Sequence, residues 1–194
     1  MILCLSIWNA DWGEMTGALG VFIIAEIGLN HNGSIEIAHN LIDVAAEAGV
    51  NAVKFQKRTV DSLAIKSVLD AEDNRFPTFG KTYGEIREHL EFDLEQFIDL
   101  KTHAQKLGIE FFVTPFDTTA LNFLEELNLS IYKIASHSVT NLDFVRRVAE
   151  TGKKVIMSTG MSYIEEIDTA VQLIKEVNPN LSLLHCVSSY PTPI

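Results

Sequence analysis

Residues 131 to 138 read IYKIASHS, a short β-branched and aromatic run with a lysine at its centre that passes directly into small polar residues. The run is too short for a buried helix and has the length of a strand. A lysine inside such a strand is costly unless it is used, and the polar tail marks the strand's carboxyl end as the place of use. Outward from this segment the same design recurs. KVIMST (154 to 159) follows it and EFFVTPFD (110 to 117) precedes it, with AVKFQ (52 to 56) and VFIIAEIGLN (21 to 30) further upstream and LSLLHCVSSY (181 to 190) downstream.

These runs predict six strands: Val21 to Ile27, Ala52 to Gln56, Glu110 to Phe116, Ile131 to Ala135, Lys154 to Ser158 and Leu181 to Cys186. Between them the apolar period lengthens to that of helices, near Ser34 to Ala48, Asp93 to Leu107, Thr118 to Leu127, Asn141 to Glu150 and Tyr163 to Val177. Several open on a capping Ser, Asp, Thr or Asn, and Gly49, Gly108 and Gly152 stand where a left-handed C-cap wants glycine. Strands that alternate with helices in this way predict a parallel sheet with helical crossovers. Residues 57 to 92, charged and carrying Pro77, Gly80 and Gly84, break the rhythm and are expected to be a functional loop covering the active site.

Each strand ends in polar residues: Glu26 and Asn30, Lys54 and Gln56, Thr114 and Asp117, Lys133 and Ser136, Ser158 and Thr159, then Ser188, Ser189 and Tyr190. In a (β/α)8 barrel all strand ends of this polarity meet at one rim, whereas a doubly wound sheet would spread them along a line. The expected fold is therefore an incomplete (β/α)8 TIM barrel with about six of its eight βα units present. Residues 21–194 form one partial barrel domain in this reading, and residues 1–20 an N-terminal extension.

The chain carries 15 Lys and Arg against 26 Asp and Glu, a net charge of -11, which disfavours nucleic acid and anionic membranes as partners. A few lysines converging in one cleft still set the local potential there. Cys4 and Cys186 lack metal-ligand spacing and form no disulfide framework, which fits a reducing cytoplasm. No run reaches the ~20 apolar residues of a membrane span, and MILCLSIW lacks the basic start of a signal peptide. GxGxxG, P-loop and GxSxG motifs are absent.

Two lysines and several hydroxyls at one rim make an anion cradle, because charged donors supply the stronger hydrogen bonds and hydroxyls complete the geometry. A lone strand-end lysine can snorkel to water. Lys54 and Lys133 together favour binding of a small phosphorylated acid. Glu26, after the apolar run IIA, suits proton transfer or the holding of a sugar hydroxyl. His31 and His39 are read as surface or capping histidines, and His185, inside LSLLHC, as a hydrogen-bonded core histidine. No complete metal constellation is visible.

AEIGLNHNG (25 to 33), VKFQ (53 to 56), FGKTYGEIREHLEF (79 to 92), YKIAS (132 to 136), MSTGM (157 to 161) and LLHCVSSYPTP (183 to 193) together resemble the N-acetylneuraminate (sialic acid) synthase family over residues 22 to 194. The resemblance implies a barrel followed by a small antifreeze-like domain, condensing phosphoenolpyruvate with N-acetylmannosamine or a related amino sugar with the help of manganese or magnesium. It assigns catalytic roles to Glu26, Lys54 and Lys133. Lys54, Thr114 and Lys133 match positions that hold phosphoenolpyruvate, chiefly its carboxylate, and Ser136, Ser158 and Ser188 match positions near its phosphate. Glu26 matches a carboxylate near the sugar's reacting carbon, Gln56 and Tyr190 match substrate-binding positions, and the loop around Lys81, Tyr83 and Glu85 would enclose the sugar. In the implied reaction C3 of phosphoenolpyruvate attacks the open-chain aldehyde, polarised by the metal, and phosphate leaves from C2. The same resemblance implies a homodimer, one chain's small domain completing the other's site.

His137-Ser138 stands where many relatives have Gly and an acidic residue, and Ser188 where some have Asn. The family's metal-binding histidines belong to strands beyond YPTP, so the expectation is a truncated barrel without metal ligands. The alternatives are a non-catalytic fragment, or a barrel synthase or aldolase for another sugar, giving legionaminic, pseudaminic or deoxy-nonulosonic acid. Met15 is expected to be the natural start, which an intact mass beginning at Met1 or Ile2 would overturn. Purified residues 1–194 are expected to show no turnover of phosphoenolpyruvate and N-acetylmannosamine with manganese, in an assay of phosphate release.

Overall fold

The computed structural model describes residues 21–189 and residue 192. The expected N-terminal extension, with Cys4 and Met15, and the candidate residue Tyr190 lie outside the described residues. Six strands form one sheet: β1 (Ile24–Gly28), β2 (Ala52–Lys57), β3 (Glu110–Pro115), β4 (Ile131–Ile134), β5 (Lys154–Ser158) and β6 (Leu181–Leu184). All neighbours are parallel and the spatial order is the chain order, β1-β2-β3-β4-β5-β6. A doubly wound sheet reverses its order at a switch point, and this one does not. The molecule is an incomplete (β/α)8 barrel, six parallel strands curled into part of a cylinder with helices outside.

The crossovers are α1 (Ile35–Glu47), then three short helices α2 (Val60–Leu63), α3 (Lys66–Leu69) and α4 (Tyr83–His89), followed by α5 (Leu94–Lys106), α6 (Thr118–Glu125), α7 (Leu142–Ala149) and α8 (Ile164–Val177). Side-chain caps start most of the long ones. Ser34 accepts from the Ile37 N–H, Asp93 from Gln96 with a return bond from the Gln96 side chain, Asp117 from Ala120 and Asn141 from Phe144. Gly49, Gly108 and Gly152 follow α1, α5 and α7 with φ of +74°, +72° and +68°, as the C-cap reading requires.

Alternation along the strands sorts the core into two layers. Val53, Phe55, Phe111, Val113, Tyr132, Ile134, Val155 and Met157 pack outward against the helices. Ile24, Ala52, Phe112, Ile131, Ile156 and Leu184 have the opposite parity and form a separate apolar plug inside the curl. The plug fills the amino-terminal half of the interior. Two residues further along each strand, the same parity delivers Glu26, Lys54, Thr114, Lys133, Ser158 and Cys186, so the chemistry sits on a dry floor.

Residues 57 to 92 depart from the expected loop. They hold α2, α3 and α4, and a reciprocal Thr82–Glu85 capping box starts α4 despite the nearby Gly80 and Gly84. The segment docks against the turn after β1. Phe79 stacks on His89 at 4.6 Å, and a Cβ on Gly33 would stand 2.3 Å from the His89 carbonyl oxygen, so only glycine permits this approach.

Two histidine expectations need correction. His185 is exposed, because the alternation of β6 ends at Leu184 and β6 pairs only with β5 among the described residues. His31 is no surface residue: it is 1% exposed, stacked on Phe92 at 4.2 Å and tilted against Phe55 at 5.9 Å. Nor does it cap α1, whose N-cap is Ser34; its Nδ1 accepts from the Gly33 N–H at 3.1 Å within the turn after β1. His39 is partly exposed and pairs with Asp99 across α1 and α5 at 2.7 Å.

Burial pushes the His31 imidazole down to about 4 from 6.5, against a backbone hydrogen bond with Gly28 that acts the other way. Between those values the unfolded chain binds the proton that the folded chain refuses, so stability is full above about 6.5, falls as the pH falls towards 4 and then levels off. Urea unfolding is expected to show about 2 kcal/mol lost from this residue between pH 7 and pH 5. The same experiment on His31→Gln should lack that part of the slope; an equal slope in both proteins would refute the assignment.

Candidate active site

The carboxyl ends of the strands enclose a cavity of about 370 Å³ lined by Glu26, Lys54, Gln56, Thr114, Lys133, Ser136, Ser158 and Ser188, with Phe116, Ala135, His137, Met161, Cys186 and Val187 completing the wall. Lys54 is 3% exposed and Lys133 5%, so both ammonium groups are held almost entirely by protein. Such burial is tolerable only with partners. Lys54 Nζ lies 2.9 Å from Glu26 Oε2, directly across the β1–β2 ladder, and donates to Thr114 Oγ1 at 2.8 Å from β3. It also donates to the Phe55 carbonyl at 3.3 Å. Lys133 Nζ donates to the Ile134 carbonyl at 3.0 Å and to Ser158 Oγ on β5.

The two lysines follow one geometric rule. Lys54 is in register with Phe112, and Lys133 with Ile156, yet each reaches a hydroxyl two residues further along the neighbouring strand, Thr114 or Ser158. Both stems therefore run over the apolar plug towards the rim and place their charges at the cavity floor. At the β4–β5 side the backbone itself comes close. The Gly160 N–H donates to Ser136 Oγ at 3.0 Å, and a Cβ at Gly160 would stand 2.5 Å from Ser188 Oγ. Three hydroxyls, Ser136, Ser158 and Ser188, thus share one wall with Lys133.

Eight of the residues read from the sequence converge here: Glu26, Lys54, Gln56, Thr114, Lys133, Ser136, Ser158 and Ser188. Tyr83 does not join them. It is the first residue of α4, with the Arg87 guanidinium over its ring at 4.9 Å, and none of residues 57 to 92 lines the cavity. The segment reaches the wall through the Lys57 carbonyl, which accepts from the Phe116 N–H at 3.0 Å, and through Arg58, whose side chain lies over the face of Phe116 at 3.8 Å and donates to Gln56.

Phe116, His137 and Cys186 were missed as wall residues. Strand parity could have found Phe116 and Cys186, which continue the inward series of Thr114 and Leu184. His137 carried no such signal, because a 3-10 turn over Ser136–Ser138 follows β4 and turns His137 to the cavity while burying Ser138. Partial desolvation, with the charges of Arg58 and Lys133, holds the His137 imidazole below its usual range. Its ring packs on Phe116 at 4.8 Å.

Among the described residues no group of three or more His, Cys, Asp or Glu side chains could hold a metal ion. The described residues alone do not fit the divalent ion that the resemblance implies. Among them, also, no helix is long and apolar enough to cross a membrane.

Residues 41–194 match the NeuB family. The chain belongs to that family. It is 37% identical over 170 residues to the N-acetylneuraminate-9-phosphate synthase of Mus musculus, covering 88% of this chain and 47% of the relative. It is 38% identical over 180 residues to the N,N'-diacetyllegionaminic acid synthase of Campylobacter jejuni, covering 88% of this chain and 52% of the relative. The crystal structure of N-acetylneuraminic acid (sialic acid) synthetase from Leptospira borgpetersenii superimposes with a TM-score of 0.76 at 37% identity, over 98% of this chain and 62% of that one. The chain spans about half the length of the curated relatives it matches. These relatives are nonulosonate synthases, and the incomplete barrel is the part this chain shares with them.

Proposed function

We propose that this NeuB-family chain provides the phosphoenolpyruvate-binding half of a nonulosonate synthase, which joins phosphoenolpyruvate to N-acetylmannosamine or a related amino sugar. The observation that carries this reading is the pair of buried lysines, each already hydrogen-bonded to a hydroxyl from the next strand, at the floor of one rim cavity. A three-carbon acid with a carboxylate at one end and a phosphate at the other needs two separated cationic sites with hydroxyl donors. In the proposal Lys54 and Thr114 hold the carboxylate, while Lys133, which the resemblance groups with them but which here bonds to Ser158, holds the phosphate with Ser158, Ser136 and Ser188.

Held at both ends, the enol is oriented with C3 free, and the entropy of bringing it to the sugar's aldehyde carbon is met by binding. Attack forms the new C–C bond. Water then adds at C2, and phosphate departs with cleavage of the C–O bond, its growing charge received by Lys133 and the serine hydroxyls. Glu26 faces the same cavity from β1, where its Lys54 partner keeps it beside the reacting end, and it holds the sugar hydroxyls.

Calorimetric titration of phosphoenolpyruvate into the full chain is expected to show saturable binding. Lys133→Met, and separately Lys54→Met, should weaken it by about tenfold or more, the loss of one charge-assisted hydrogen bond or two, with the circular dichroism spectrum retained. No binding by the unaltered chain at millimolar ligand, or equal affinity in both variants, would reject the proposal.

A further inference from the structure

Arg58 has no place in the reaction proposed above, yet its side chain packs on two residues of the cavity wall, Phe116 and Gln56. Its side chain is 10% exposed, an uncommon degree of burial for a guanidinium. Four contacts set its position, one of them the approach of Nη1 to Glu91 Oε1 at 3.9 Å. The backbone N–H donates to Glu91 Oε2 at 3.1 Å, and Glu91 is itself held by Lys57 Nζ at 3.1 Å. The guanidinium carbon lies 3.8 Å from the centre of the Phe116 ring, where cation and π face attract. The Nη2 donates to Gln56 Oε1 at 2.5 Å.

The last bond decides the orientation of Gln56. An amide has one acceptor oxygen and one donor nitrogen, and a guanidinium can only donate. Rotating the amide by half a turn would set two donors against each other in a poorly solvated place, so the oxygen must face Arg58. The nitrogen is then left on the side of β1, where Nε2 stands 3.5 Å from the point a Cβ on Gly28 would occupy, and it makes no hydrogen bond among the described residues. Gly28, with φ of +58° at the irregularity in the β1–β2 ladder, keeps that space open.

We propose that Arg58 is a positioning residue that locks the Gln56 amide with its nitrogen as the only available group, so that Gln56 presents a donor, and never an acceptor, to the cavity. At this position the site then favours a substrate group that brings a lone-pair oxygen, a hydroxyl, carbonyl or carboxylate, over one that brings an N–H. The substrate side of this inference rests on the function proposed above; the locking of the amide does not. Arginine is suited to the task because its planar fork stacks on Phe116 and donates in the ring's neighbourhood at once, which an ammonium group cannot do.

The test uses the full chain labelled with 15N. The Gln56 side-chain amide pair, identified by its loss in Gln56→Ala, should be displaced from ordinary glutamine positions in the unaltered chain. In Arg58→Met it should return to them, with Arg58→Gln serving the same comparison if Arg58→Met does not fold. Titrations with phosphoenolpyruvate and with N-acetylmannosamine should show Arg58→Met weakening at least one of them by about fivefold, within the range of a single hydrogen bond. Arg58→Lys should recover part of the loss. The double variant Arg58→Met with Gln56→Ala should bind no more weakly than Gln56→Ala alone, because a residue that acts through another adds nothing once that other is gone. Unmoved Gln56 signals in Arg58→Met, or losses that multiply in the double variant, would overturn the inference. If neither ligand binds the unaltered chain, the proposed function fails by itself, and the amide signals still decide the role of Arg58.

Discussion

Two ammonium groups buried within one barrel mouth are the constraint around which this molecule is arranged. Each is too far from water to be solvated by it, so each must find its partners in the protein. The partners come from adjacent strands: Glu26 and Thr114 from either side of Lys54, Ser158 beside Lys133. Strand order and site chemistry are therefore one fact. A sheet that separated β2 from β3, or β4 from β5, would leave one lysine without its hydroxyl.

The apolar plug beneath serves the same end. Ile24, Ala52, Phe112, Ile131, Ile156 and Leu184 block water from below, which strengthens every electrostatic contact at the floor above them. In the proposed function, a small anion enters this cavity from the rim and meets donors already in place. Preorganised donors of this kind need no reordering as charge moves through a reaction. The serine wall around Gly160 extends the idea to the backbone, since a side chain there would push Ser188 and Ser136 out of position.

Residues 57 to 92 contact the cavity wall from behind without lining the cavity. The aromatic contacts of Phe79 and His89 and the glycine at position 33 tie the segment to the turn after β1. Its opening residues, Lys57 and Arg58, share Glu91 and bring a guanidinium to the back of Phe116 and Gln56. Charge and irregularity in this stretch led only to the expectation of a functional loop, and its short helices were hidden. They depend on the Thr82–Glu85 capping box and on docking partners distant in sequence, not on any amphipathic period.

Much of the architecture was legible in the linear order of residues. Lys154–Ser158 was read to the residue, the other strands to within a few residues at each end, and the polar strand ends pointed to a common rim because a parallel barrel leaves them nowhere else to meet. Period and polarity are local properties, so the chain alone determined the strands, the long helices, their caps and the polar strand ends. Tertiary structure decided what depends on distance across the sheet: which hydroxyl pairs with which lysine, why His31 is buried and His185 is not, how the turn after β4 presents His137, and that Arg58 rather than Tyr83 joins the segment to the cavity. Those outcomes rest on register, docking and desolvation, which exist only once segments far apart in sequence have been brought together.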